Sequence, residues 1–288
     1  MTDGHDLGLG HDLPRFIQPN RVGRRGLFGI GAGVGLVALA GCGDDATTGS
    51  GSGSEPGSTR PSPPAGGGPE GPGSTVEVPE GEIPEETAGP FPGDGSNGPN
   101  VLSESGVVRS DIRPSFGSAS GVAEGVPTTV RLRILDLEGD DATPLCGAAV
   151  YLWHCDREGR YSMYSEGLTE ENYLRGVQEA DDDGRLEFTT VFPATYDGRW
   201  PHMHFEVYQS IDAATSASDT LRTSQLALPE DVASRVYETV EGYETSRENL
   251  AAVSLDSDLV FADGHSLQLA KVTGSVEEGY TVSLTVPV

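Results

Sequence analysis

The stretch "TVRLRILDL" (Thr129–Leu137) alternates: Val130, Leu132 and Ile134 fall on one side, Thr129, Arg131 and Arg133 on the other. Side chains two apart in a strand share a face, so this period predicts a strand with one face in a core. The alternation slips at Leu135-Asp136, which predicts a bulge or the end of the strand. "AAVYLWHC", "RLEFTTVF", "HMHFEVYQ", "RTSQLAL", "SLQLAKVT" and "GYTVSLTVPV" read as further strands, separated by turn signals such as "DDDG", "YDG" and "ADG". The triplet Asp181-Asp182-Asp183 before Gly184 reads as a hairpin turn rather than a calcium site, because it lacks spaced partner ligands. "PEDVASRVYETVEGYETSRENLAAV" opens with Pro and acidic residues and has helical spacing, so one or two short helices interrupt the sheets. The expected fold is all-β, an antiparallel β-sandwich over residues 99–288, preceded by a disordered tether.

Upstream the composition changes. Arg24-Arg25 is followed by "GLFGIGAGVGLVALAG" and Cys42, the basic–apolar–small order of an export signal. The apolar run, about 16 residues, falls short of the ~20 a permanent span needs. Its glycines miss the spacing of a dinucleotide loop, and no strand precedes them. "RRGLF" resembles the twin-arginine signals of the pathway that exports folded proteins, and "LAGC" resembles a bacterial lipobox. Residues 1–41 are therefore expected to be a signal peptide, with a lipid on Cys42. The mature protein is expected on the extracytoplasmic side of a bacterial membrane, touching it only through that lipid. Residues 42–98 are rich in Gly, Pro and Ser and are expected to form a flexible tether. The exception is its end, "EETAGPFPGDG", whose Phe91 should dock on the domain.

The formal net charge of −27 on 288 residues repels nucleic acid and anionic head groups and excludes both as partners. The 3 cysteines are too few for a disulfide scaffold. With Ala148–His154 as one strand, Cys146 and Cys155 stand ~30 Å apart, well beyond the ~7 Å that a disulfide tolerates, so no bond is expected unless a turn breaks the strand near Gly147.

"RWPHMHFEVYQS" (Arg199–Ser210) carries the chemistry. In a strand, His202, His204, Glu206 and Tyr208 share one face, and Met203, Phe205 and Val207 the other. The second face reads as core; the first is either solvated surface or a metal site. The Asp197-Gly198 turn can bring Tyr196 back over the strand, with Arg199 between. A phenol with a pKa near ~10 must lose its proton to bind a metal. Phenolate with two imidazoles therefore suits Fe(III) better than Zn(II), Mg(II) or Ca(II). Tyr161, in "VYLWHCDREGRYSMY", is a second candidate phenol; taken alone, it and Tyr164 read as loop-packing aromatics. His154 and His265 read as packing or surface residues.

"AAVYLWHCDREGRYS", "YLRGVQEADDDGRLEFTTVFPATYDGRWPHMHFEVY" and "LRTSQLALPED" together resemble the intradiol ring-cleavage dioxygenases, the catechol and protocatechuate dioxygenase family. "EETAGPFPGDG" resembles that family's Thr-x-Gly-Pro-Tyr/Phe segment. The resemblance runs from about Glu85 onward. It implies one non-haem Fe(III) per chain held by Tyr161, Tyr196, His202 and His204, with Tyr196 and His204 axial. It further implies that Tyr196 acts as a base, that Arg199 is the active-site arginine and that Gln225 lines the substrate site. The implied reaction takes a catechol and dioxygen to a cis,cis-muconate-type diacid, and a homodimer is a possible assembly. The chain departs from the family in having no long insertion between the Tyr196 motif and His202 and no N-terminal helical dimerisation segment before the domain. Two other readings use the same residues: a non-catalytic ligand-binding surface lipoprotein on this fold, and a cupin-like Fe(II) or Mn(II) oxygenase. The cupin reading needs a carboxylate and a third histidine where this sequence offers tyrosines.

Overall fold

In a computed structural model, residues 81–288 are described, apart from 139, 140 and 217. The expected signal peptide, Cys42 and most of the tether lie outside the described residues. Two sheets pack face to face. One contains β1 (Pro127–Glu138), β2 (Asp141–Pro144), β5 (Arg185–Val191), β8 (Lys271–Ser275) and β9 (Gly279–Pro287). The other has the order β4 (Arg175–Glu179), β3 (Ala149–Trp153), β6 (His202–Tyr208), β7 (Arg222–Ala227). Among the described residues the α-helices are α1 (Ile211–Thr215), α2 (Glu230–Thr239) and α3 (Glu244–Ala252). None of the described helices is long and apolar enough to cross a membrane.

The sandwich expected from the period-two runs is present, with one amendment: β1 and β9 pair in parallel, Thr128 opposite Tyr280 through Leu135 opposite Pro287. The slip at Leu135-Asp136 does not end β1. Along its other edge β1 pairs with β5 as far as Arg133 and with β2 from Leu135 onward, so the irregularity marks a change of partner. The "DDDG" turn likewise differs from a hairpin. It joins β4 to β5, which belong to different sheets. Within "SLQLAKVT" only the part from Lys271 is strand, preceded by a single bridge from Leu269 to Ala227.

Val130, Leu132 and Ile134 are buried in one cluster with Phe188, Val282, Met203, Phe205 and Val207. Each such side chain contributes about 1.5–3 kcal/mol through removal from water. The opposite face of the four-stranded sheet is also buried, so every residue of β3 and β6 is inaccessible. Part of its cover is the segment before the domain. Ile83 is fully buried and its N–H donates to Pro287 O at 2.8 Å, while Tyr151 donates to Pro92 O at 2.6 Å. Residues 81–98, assigned to the tether by composition, are therefore a strap on the sandwich, and the expected boundary at 98/99 falls inside packed structure. Cys146 is exposed and Cys155 buried, both free thiols.

Candidate metal centre

The two histidines come from β6, an inner strand flanked by β3 and β7. His202 Nδ1 lies 2.5 Å from Trp200 O. A carbonyl only accepts, so that nitrogen carries the proton and Nε2 turns a lone pair inward. His204 is fixed differently. Its ring stacks on the cross-strand Trp153 at 5.0 Å and 9°, and its Nδ1 finds no hydrogen-bond partner among the described residues.

The tyrosines come from loops. Tyr196 begins a tight turn in which Arg199 N–H donates to Tyr196 O at 3.0 Å. Gly198, at the turn's third position, has φ +75°, which favours glycine. The helical pair holds this loop from behind. On α3, Ser246 Oγ accepts from Thr195 N at 3.1 Å and Asn249 donates to Thr195 O at 3.0 Å. On α2, Tyr237 donates to Pro193 O at 3.0 Å. Tyr161 sits between β3 and β4, its N–H donating to Ser165 Oγ at 2.9 Å.

These four side chains converge. Tyr196 Oη lies 3.2 Å from Tyr161 Oη and 3.2 Å from His202 Nε2, which lies 3.1 Å from His204 Nε2. Tyr161, His202 and His204 are 1–2% exposed and Tyr196 9%. Donors bound at ~2.0–2.2 Å around one ion stand roughly this far apart. Among the described residues no three His, Cys, Asp or Glu cluster for a metal, so the phenols decide the chemistry. Burial, and then the neighbouring Tyr196, hold the Tyr161 phenol well above its ordinary pKa. Burial likewise raises Tyr196, against the opposing pull of Arg199. Burial and Arg199 push His202 well below the imidazole range, and burial with His202 does the same to His204. Left alone, the four groups are neutral, and two of them hold protons that only a strongly polarising cation displaces. That donor set fits ferric iron.

Around the four stands a polar network. Arg199 Nη1 is 3.3 Å from His202 Nε2, Nη2 donates to Gln225 Oε1 at 2.6 Å, and Nε donates to Asp258 Oδ2 at 2.9 Å. Gln225, on β7, donates from Nε2 to Thr87 O at 2.8 Å. Asp258 was not singled out in the sequence, yet it is fully buried and also accepts from the backbone N–H of Trp200, Val260 and Phe261. The strap closes one side. Phe91 packs 4.9 Å from the Tyr161 ring. Gly89 has φ +72°, and a Cβ there would stand 3.2 Å from His204 Cε1. The other two histidines among the described residues have their own partners. His154 is buried between Cys155 O and Thr190 Oγ1, and His265 rests on Phe261 O.

A family model described as "Dioxygenase" matches residues 103–217, a stretch that includes both tyrosines, both histidines and Arg199 and stops before Gln225 and Asp258. The chain is similar to a chlorocatechol 1,2-dioxygenase of Rhodococcus opacus, 30% identical over 95 residues, covering 29% of this chain and 37% of that protein. It is also similar to a catechol 1,2-dioxygenase of Candida albicans, 26% identical over 204 residues, covering 61% of this chain and 65% of that protein. The chain thus spans between about one third and two thirds of the length of these relatives. An intradiol ring-cleavage dioxygenase structure from Tetranychus urticae aligns with a TM-score of 0.55 at 20% identity, covering 72% of this chain and 94% of that one, which shows a shared fold.

Proposed function

We propose that this chain, whose described domain belongs to the intradiol ring-cleavage dioxygenase family, opens a catechol between its two hydroxyls with dioxygen to a cis,cis-muconate-type diacid. The observation that carries the reading is the contact of two phenols and two imidazoles at 3.1–3.2 Å in a buried site. Tyr161, Tyr196, His202 and His204 are the residues that would hold the iron. Ferric iron, when bound there, would supply Lewis acidity for a catechol and its activation towards dioxygen.

The chain's own residues supply the rest. Tyr196 is the most accessible of the four and stands on an exposed turn, whereas the histidines are locked in β6. It is the group best placed to leave its position and take a phenolic proton at Oη. Arg199, immobilised by Asp258 and Gln225, sets a fixed positive charge where negative charge develops on the ring. The strap, with Gly89 against His204 and Phe91 against Tyr161, keeps bulk water from that side.

Two measurements test this. Iron-loaded protein should be red to burgundy from tyrosinate-to-iron charge transfer, whereas a cupin-like Fe(II) site is nearly colourless. With isotopically labelled dioxygen, both atoms should enter a ring-opened diacid. A semialdehyde product rejects the reading, and coloured protein inert towards catechol, protocatechuate and hydroxyquinol returns the chain to a ligand-binding role. The proposal extends to location: export, with a lipid on Cys42. Metabolic labelling with a fatty acid should mark the wild-type protein and not Cys42→Ala.

A further inference from the structure

The strap brings a carboxylate to the wall of the centre. The Glu86 N–H donates to Thr223 O on β7 at 2.8 Å, and its Oε1 accepts from Gln268 Nε2 at 3.3 Å. Gln268 is fully buried and also donates from Nε2 to the Gln225 carbonyl at 3.1 Å. Gln225 is the residue whose side chain joins Arg199 to Thr87 O. Glu86 is thus tied to the ligand-lining wall from two directions. Three residues on, Gly89 touches the His204 ring. Three residues of extended chain reach at most ~10 Å, the scale of a substituted catechol anchored at the centre.

The guanidinium groups of Arg199 and Arg175 near this wall are both engaged. The Arg199 guanidinium is paired with Asp258, both groups buried. Arg175 donates to the carbonyls of Phe91, Pro92 and Ser162. Gln268 Oε1 is buried without a hydrogen-bond partner among the described residues. Its orientation is fixed, because Nε2 has two acceptors to serve and a flipped amide would set oxygen against both. The Glu86 carboxylate, only part-buried, suits a substituent that donates hydrogen bonds or carries positive charge. The −27 net charge of the chain acts in the same sense at longer range.

We propose that Glu86 is a specificity-determining residue of the centre. It admits catechols whose ring substituent is neutral or bears a protonated amine and turns away those bearing a carboxylate. The inference rests on the dioxygenase reading above.

The test uses the iron-loaded full chain at pH 8, above the value of about 7 to which burial and Asp263 push the Glu86 carboxyl. The quantity read is the ratio of kcat/KM for 4-(2-aminoethyl)catechol to that for 3,4-dihydroxybenzoate, with catechol as the neutral reference. The wild type should show a ratio on the order of 100, Glu86→Gln about tenfold less, and Glu86→Lys a preference for the carboxylate. A wild type that prefers the carboxylate overturns the proposal. So do two variants that keep the iron colour and stay within twofold of the wild-type ratio. If the wild type is coloured and opens no catechol, the dioxygenase reading is what fails. The same ratio is then read in Kd from the shift of the charge-transfer band, and an unchanged Kd ratio in the variants overturns the acidic wall as well.

Discussion

Asp258 lies between two short 3-10 turns, and it fixes the Arg199 guanidinium. Removing it leaves the Arg199 charge buried and unpaired. Asp258→Ala should therefore cost about 3–5 kcal/mol of stability. Asp258→Asn, which keeps an acceptor, should lower kcat roughly 10–100-fold with little loss of colour, as read by steady-state kinetics beside a visible spectrum. Tyr161→Phe and Tyr196→Phe should instead shift or bleach the colour. Glu206, next along β6, is 3% exposed and accepts from Tyr208 at 2.7 Å. Burial raises its carboxyl from 4.5 to about 7. A carboxyl raised on folding contributes stability that is complete below pH 4.5 and is lost as pH climbs through 7. Glu206→Gln should match the wild type at pH 4.5 and exceed it by up to about 3 kcal/mol at pH 8.5, measured by urea unfolding. Alternation in the sequence placed Glu206 on the histidine face, and the tyrosines were legible through short motifs. Asp258 was not, because it meets Arg199 across 59 residues of chain with no motif around it.

Among the elements, the strap and the α2–α3 pair do for the loops what β6 does for the histidines. A methyl at position 89 meets the His204 ring at 3.2 Å in a backbone that disfavours side chains. Gly89→Ala should therefore reduce iron per chain, measured by metal analysis, while the sandwich still folds. Arg175 ties the strap down through Phe91 O and Pro92 O, so Arg175→Met should speed amide hydrogen exchange over residues 86–93 and raise KM severalfold. These devices explain what the sequence hid. β4 was not read as a strand because Arg175 and Gln178 make it look polar, yet Arg175 is 1% exposed. Its burial is tolerable because carbonyls and hydroxyls from three other segments accept from its guanidinium. Docking of "EETAGPFPGDG" was legible from Phe91, but composition hid how far order extends on either side of it, over residues 81–98. Their order comes from hydrogen bonds to β7, β9 and Arg175, which local propensity does not encode.

Over the whole molecule, a charge of −27 acts against compaction as well as on substrates. Raising NaCl from 10 mM to 0.2 M should raise Tm by several degrees and narrow the discrimination between aminoethyl and carboxylate substrates, because screening weakens both effects. The sandwich class was readable from period two alone, but the partnership of β1 with β9 was not, since period says which face is buried and nothing about which strand lies alongside. That partnership has a consequence for biogenesis. Among the described residues β1 is the first strand and β9 the last, so this sheet cannot close until the whole span between them has been synthesised. A nascent chain with a half-built barrier against aggregation is a client for chaperones, and depleting them should lower the yield of this protein before it lowers that of proteins built from local contacts.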